Sequence, residues 1–180
     1  MRKSKEALIA ENRPSIDTLV GKKDLVGVEI GVWYGFHALN MLKRLDIKKL
    51  YLVDPYANYP CAEDNGNMAF SMGDEYKQNE IKSEAISLLT EYYDKIIWVE
   101  DYSFNCADII PNDVDFVYID GDHRYVCCRK DIELYFPKVK SGGLLAGHDY
   151  NKSMVKKAVT DFFGRGFFSS KGMDWWVEKK

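Results

Sequence analysis

Three short stretches of this sequence concentrate side chains that can do chemistry. Val117-Tyr118-Ile119-Asp120-Gly121-Asp122-His123-Arg124-Tyr125 holds two carboxylates and an imidazole close together. Gly142-Gly143-Leu144-Leu145-Ala146-Gly147-His148-Asp149-Tyr150 ends in a second acid–histidine pair. Asp120, His148 and Asp149 together offer oxygen and nitrogen donors suited to a divalent ion, with a mainly carboxylate set favouring magnesium, calcium or manganese. Asp122 and His123 sit on the turn that follows Asp120. A carboxylate, or an imidazole titrating near neutrality, can take a proton from a bound substrate there. The third stretch is Glu29-x-Gly31-x-x-x-Gly35. Glycines in such a turn let backbone N–H groups and a helix N-terminus approach a ligand. Tyr51-Leu52-Val53-Asp54 adds an acid nineteen positions after Gly35. An acid at a second strand tip can accept hydrogen bonds from ribose hydroxyls, so the two signals point to a nucleoside-containing cofactor.

These residues need elements to hold them, and the apolar pattern supplies candidates. Short apolar runs predict strands at Val26–Ile30, Leu50–Val53, Ile96–Val99, Phe116–Ile119 and Leu144–Gly147. Their continuous hydrophobicity fits parallel strands buried on both faces. Helical patterns fall at Phe36–Leu45, Asp74–Tyr93, Ser103–Ile110, Tyr125–Phe136 and Lys152–Phe163, and Phe167 to Val177 reads as one or two final strands. Alternation of this kind predicts an α/β domain, a Rossmann-like, mainly parallel sheet with helices on both faces. In such a sheet the strand tips carrying Gly31, Asp54, Asp120 and His148 face one edge, where ligands bind. Residues 1–24 read as an N-terminal helical segment. Residues 55–73, following the proposed ribose acid, read as a loop that can serve as a lid.

Composition narrows the function classes. With 180 residues the chain is one domain with room for a sizeable core. A formal net charge of −3 gives no electrostatic case for nucleic-acid binding. No run approaches the ~20 apolar residues of a membrane span, so no membrane partner is expected. Met1 to Ala10 is charged and lacks a signal-peptide core. Cys61, Cys106, Cys127 and Cys128 form no C-x-x-C pair, which argues against structural zinc and disulfides and for free thiols in a reducing, cytoplasmic setting.

The motifs taken together resemble the class I S-adenosylmethionine-dependent methyltransferases, over roughly Leu25 to Tyr150. The branch they are most similar to contains macrocin-type sugar O-methyltransferases and cephalosporin hydroxylase-like proteins. The Ile-Asp-Gly-Asp-His turn combined with Gly-His-Asp-Tyr carries most of that resemblance. It implies a sheet whose last strand is antiparallel. It implies cofactor contacts from Glu29, Gly31, Tyr34 and Gly35, with Asp54 on the ribose, Asp101, Tyr102 and Ser103 near the adenine, and Asp120 in the same pocket. In metal-dependent members an ion is held at positions matching Asp120, His148 and Asp149, and Asp122 matches a proposed general base. Here magnesium or manganese would be that ion. His148 stands where some metal-dependent relatives have a carboxylate or amide.

The expected reaction is methyl transfer from S-adenosylmethionine to a small-molecule or sugar-containing acceptor, at a hydroxyl oxygen. A homo-oligomer is left open. A nicotinamide-dependent oxidoreductase fits less well, because Trp33 stands where the second glycine of its fingerprint belongs. A metal-dependent hydrolase uses similar acids. A module with this fold that binds a cofactor or partner without catalysis is the main alternative.

Overall fold

Strand and helix formation follow the apolar pattern closely. The computed structural model describes residue 4, residues 13–57 and residues 75–180. The strands are β1 (Leu25–Ile30), β2 (Ile47–Val53), β3 (Ile96–Val99), β4 (Val114–Ile119), β5 (Val139–Gly147), β6 (Ser169–Lys171) and β7 (Asp174–Glu178). The helices are α1 (Pro14–Asp17), α2 (Phe36–Arg44), α3 (Glu75–Leu88), α4 (Ser103–Cys106), α5 (Tyr125–Tyr135) and α6 (Ser153–Phe163). The sheet runs in the order β3-β2-β1-β4-β5-β7-β6. β3 through β5 pair in parallel, whereas β7 is antiparallel to both β5 and β6. The expected Rossmann-like class, with its antiparallel last strand, is the class observed. That last strand lies between β5 and β6 rather than at the sheet's edge.

Each face of the sheet buries one set of alternate side chains. Val28, Ile30, Val117, Ile119, Leu145 and Trp175 pack with Cys128 and Ile132 of α5 and with Val155 and Val159 of α6. On the opposite face Leu50, Leu52, Phe116, Tyr118 and Ala146 pack with Ile16 near the N-terminus and with Ala38, Met41 and Leu42 of α2. Burying one such aliphatic side chain is worth roughly 1.5–3 kcal/mol, so the sheet is the rigid platform of the molecule.

Several boundaries differ from expectation for local reasons. α3 stops at Leu88 instead of running to Tyr93, and a 3₁₀ turn covers Thr90–Tyr92. The Thr90 hydroxyl donates to the Ile86 carbonyl at 2.9 Å, a back-bond that competes with regular helix. The expected helix Ser103–Ile110 divides into α4 and a 3₁₀ turn at Ala107–Ile109. In the N-terminal segment the described part is a single short helical turn, α1, entered through Pro14. The remainder of that segment, apart from residues 4, 13 and 18–24, lies outside the described residues, as do residues 58–73 of the proposed lid. No helix among the described residues is long and apolar enough to cross a membrane.

Register decides what the sheet presents at its edge. Ile30 pairs with Val53 and Ile119, Val53 pairs with Val99, and Ile119 pairs with Gly147. Five strands, β1 to β5, therefore end level. The ladder continues one residue further. Gly31 N–H donates to Val53, Asp54 N–H to Val99, Asp120 N–H to Ile30 and His148 N–H to Ile119, at 2.7–3.2 Å. Gly31, Asp54, Asp120 and His148 thus stand in one row along the carboxyl edge.

Candidate active site at the carboxyl edge of the sheet

The glycine loop is shaped by the protein's own backbone. Gly31 has φ +86, and a Cβ added there would lie 2.3 Å from the Asp120 carbonyl oxygen. Only glycine fits, because the first loop crosses directly over the tip of β4. The expectation placed this glycine for a ligand's sake, whereas the tighter constraint comes from Asp120 itself. Gly35 has φ +76 and forms the N-cap of α2, with no side-chain cap on that helix end. Tyr34 stacks on Phe36 with ring centroids 5.6 Å apart.

Asp54 is 7% exposed, and its carboxylate is engaged by backbone N–H groups. Oδ2 accepts from Val32 and Trp33 at 2.8 and 2.9 Å, and Oδ1 accepts from Tyr56 at 2.8 Å. Trp33 and Tyr56 both adopt positive φ, +51 and +45. The Tyr56 hydroxyl donates to the Trp33 carbonyl at 3.0 Å. Asp54 therefore clamps two strained residues and ties the first loop to the end of β2. Burial raises its pKa, opposed by the three N–H donors.

Glu29 and His37 form a pair beneath the glycine loop. Glu29 is 1% exposed, and His37 Nδ1 lies 2.9 Å from its Oε1. Burial pushes the Glu29 carboxyl well above its usual range and lowers the His37 imidazole to about 3. The His37 ring packs on Tyr118 with centroids 4.1 Å apart. Glu29 Oε2 and His37 Nε2 have no hydrogen-bond partner among the described residues.

After β3, Asp101 Oδ1 accepts from Tyr102 N–H at 2.7 Å and from Asn105 at 2.9 Å. Tyr102 stacks on Phe104, with an interplanar angle of 9°. Ser103, expected near the adenine, turns its side chain into the protein. It is 1% exposed, and its hydroxyl donates to Asp131 of α5. Burial raises Asp131 to about 7, partly offset by that hydrogen bond.

The tips of β4 and β5 bring together most of the predicted chemistry. His148 Nδ1 lies 3.7 Å from both Asp120 Oδ1 and Asp149 Oδ1. His123 Nε2 lies 2.6 Å from Asp149 Oδ2 and 3.9 Å from Asp120 Oδ1. Asp149 holds φ +57, a strained left-handed position that Asp tolerates better than most residues. Burial tends to raise the Asp120 carboxyl, but the two histidines and Arg13 bring it down to about 2. Burial tends to lower both imidazoles, yet the flanking carboxylates hold His123 and His148 up to about 9. The same imidazoles pull Asp149 far below its usual range against burial.

The metal set shifts in this arrangement. The donors spaced for a common ion are Asp120, His123 and Asp149, with ligand atoms within 4.8 Å of one another. His123 takes the place assigned from sequence to His148, which flanks the set. Donor type and spacing fit a small divalent cation.

Asp122 stands apart from that cluster. Arg124 grips its carboxylate through Nε at 2.9–3.0 Å and through Nη2, and Arg124 N–H donates to Oδ1 at 2.9 Å. The N-cap of α5 is Arg124. His123, not Asp122, joins the strand-tip acids.

Sequence reasoning missed three basic residues. Lys152 Nζ lies 3.0 Å from Asp149 Oδ2 and 2.9 Å from His123 Nδ1. Its spacing of three from Asp149 was the available signal. Arg124 lay inside the motif as the natural partner of Asp122. Arg13 gave no local signal. It arrives from the N-terminal segment, with Nη2 3.7 Å from Asp120 Oδ2 and Nη1 3.1 Å from the Tyr118 hydroxyl. That hydroxyl donates to Asp174 Oδ1 at 3.0 Å, and Ser15 holds Asp174 Oδ2 through its hydroxyl at 2.6 Å. A buried network thus runs from the N-terminal segment through β7 to Asp120.

Comparison with known proteins gives a consistent picture. A family profile described as a methyltransferase domain matches residues 28–150. An uncharacterized protein of Acanthamoeba polyphaga mimivirus is 30% identical over 129 residues, covering 72% of this chain and 53% of that protein. The chain therefore spans about half the length of this curated relative. The O-methyltransferase NovP superposes with a TM-score of 0.66 at 18% identity, over 98% of this chain and 79% of that one. A Streptococcus mutans protein solved with S-adenosylhomocysteine superposes at 0.65 and 14% identity, over 100% of both chains. CalS11, a TDP-rhamnose 3′-O-methyltransferase, superposes at 0.58 and 15% identity, over 91% of this chain and 77% of that one. At these identities the solved structures share the fold.

Proposed function

This chain belongs to the methyltransferase domain family, of the class I S-adenosylmethionine-dependent kind, and we propose that it transfers the methyl group of S-adenosylmethionine to a hydroxyl oxygen of a small-molecule acceptor. The observation that carries this reading is the meeting of Asp120, His123, His148 and Asp149 beside the glycine loop, on a sheet edge where this fold class binds ligands. The cofactor's nucleoside would lie along the row from Gly31 to Asp54, reaching Tyr102 past the end of β3. The sugar O-methyltransferase branch named from the motifs, and the O-methyltransferase names of NovP and CalS11, support a hydroxyl acceptor, sugar-containing or otherwise.

Methyl transfer from a sulfonium is an in-line displacement, and alignment of donor and acceptor supplies much of its acceleration. The level strand tips are rigid supports for that alignment. The acceptor hydroxyl must lose its proton, and the Lys152–His123 contact offers a place for it. A hydrogen bond between an ammonium nitrogen and an imidazole nitrogen needs a lone pair on one of them, so the two groups cannot both be fully protonated across it. With Lys152 as the ammonium, the 2.9 Å contact places the lone pair on His123 Nδ1, against the pull of the carboxylates toward the protonated imidazole. When the acceptor hydroxyl replaces the Lys152 ammonium at Nδ1, that lone pair takes its proton, and Asp149 stabilises the cation formed. Asp122, gripped by Arg124, positions the turn that carries His123. A divalent ion bound by Asp120, His123 and Asp149 would lower the pKa of an acceptor oxygen beside it.

Calorimetry with S-adenosylmethionine, S-adenosylhomocysteine and NAD tests the cofactor assignment, with binding of the first two and not NAD expected. Radiolabelled methyl transfer to a panel of hydroxylated compounds tests the reaction. Binding of NAD in place of S-adenosylmethionine overturns the proposal. So does tight S-adenosylmethionine binding by a protein that methylates only nitrogen or carbon acceptors.

A further inference from the structure

The acid–histidine cluster is already furnished with positive charge from the chain itself. Lys152 Nζ stands 3.0 Å from Asp149 Oδ2 and 2.9 Å from His123 Nδ1. Asp149 Oδ2 is also the oxygen that His123 Nε2 approaches at 2.6 Å. On the other side Arg13 Nη2 lies 3.7 Å from Asp120 Oδ2. Asp120 and Asp149 are the carboxylates of the candidate ion site, and each has one oxygen close to a basic side chain. A divalent cation entering this cluster meets an ammonium already paired with one of its ligands. Like charges a few ångströms apart in a partly buried site repel strongly. The chain's geometry also makes this lysine displaceable. Its side chain is 45% exposed, whereas that of Arg13 is 10% exposed and tied to Tyr118 and Asp174. Backbone structure at Lys152 does not depend on its side chain. Its N–H donates to the Asp149 carbonyl at 2.8 Å, and it serves as N-cap of α6 without a side-chain cap bond.

We infer that Lys152 is the resident cation of this cluster. Its ammonium competes with a divalent ion for Asp149 and His123, and it keeps the wild-type site weak for magnesium and manganese. The positive charge beside the acceptor then comes from Lys152 and not from a metal. This inference rests on the cluster described under the proposed function, and it adds that the site is built to work without a tightly held ion.

The test titrates Mn²⁺ into the full-length protein, followed by electron paramagnetic resonance of the free ion and by calorimetry. Lys152→Met removes the charge and keeps an apolar stem of similar length. Lys152→Arg keeps the charge. Lys152→Met should bind Mn²⁺ roughly 10–100-fold more tightly than wild type, the range over which neighbours of a metal site alter its affinity. Lys152→Arg should stay as weak as wild type. Adding Asp149→Asn to Lys152→Met should abolish the gain, which locates the ion at this cluster. Wild-type protein that binds Mn²⁺ as tightly as Lys152→Met overturns the inference, as does a Lys152→Met protein that stays weak. Equal gains in the Met and Arg variants refute competition by charge. S-adenosylhomocysteine titrated into the same proteins reports the cofactor assignment separately. Its failure to bind would refute the proposed function while leaving the Mn²⁺ result readable.

Discussion

Replacing Asp54 by alanine separates a ligand-contacting acid from a structural one. The Asp54 carboxylate accepts backbone hydrogen bonds from Val32, Trp33 and Tyr56 at 2.8–2.9 Å inside a site 7% exposed. Alanine leaves those three donors unpaired. Hydrogen bonds to a charged partner are each worth about 1.5–3 kcal/mol, but they are not additive and water enters part of the space, so a total of about 3–6 kcal/mol is expected. Trp33 and Tyr56 would also lose the clamp on their left-handed backbones. For a domain whose whole stability is on the order of 5–15 kcal/mol, that is a severe loss. It corresponds to a fall in Tm of at least about 6 °C, at roughly 2–4 °C per kcal/mol for a chain of this size. Urea denaturation of ligand-free protein is the assay. Asp54→Asn, with a single acceptor oxygen, should lie between wild type and alanine. If Asp54→Ala unfolds within about 1 kcal/mol of wild type while its affinity for S-adenosylhomocysteine drops, the clamp does not carry stability. The residue would then be chiefly a ribose contact.

Gly31→Ala should fail structurally before any ligand is added, because its Cβ would fall 2.3 Å from the Asp120 carbonyl; soluble, normally stable Gly31→Ala protein contradicts that packing. Asp131 should make stability depend on pH. Its folded pKa of about 7 exceeds the ordinary 3.8, so the protonated form is favoured in the fold and stability falls as pH rises from about 4 to about 7. Asp131→Asn should therefore stabilise the protein by up to about 4 kcal/mol at pH 8, with the gain shrinking toward pH 4; an equal difference in urea midpoint at pH 5 and pH 8 would show that the carboxyl is not the cause. His123→Ala should lower methyl-transfer turnover by about 10²–10⁴-fold, while Asp122→Asn costs about tenfold or less; a larger loss in Asp122→Asn returns the base role to that carboxylate.

Much of this molecule is legible along the chain because its information is local. A buried parallel strand must be largely apolar, so short apolar runs within β1 to β5 stand out, and the turn after each carries polar residues. Glu29-x-Gly31-x-x-x-Gly35 and Ile119-Asp120-Gly121-Asp122-His123 therefore disclose strand tips, sheet class and family together. Partner choice across elements is not local. That Asp54 turns inward to three amides depends on the glycine loop folding back over β2. That Ser103 is spent on Asp131 depends on α4 docking against α5, and that His123 displaces His148 from the candidate ion set depends on the path of the turn after β4. Arg13 and Lys152 show the limit most clearly. A basic residue in a charged sequence carries no mark of burial or pairing. Only the return of the N-terminal segment beneath β4, and the left-handed turn at Asp149, bring those charges to Asp120 and His123, and with them the electrostatics that govern the site.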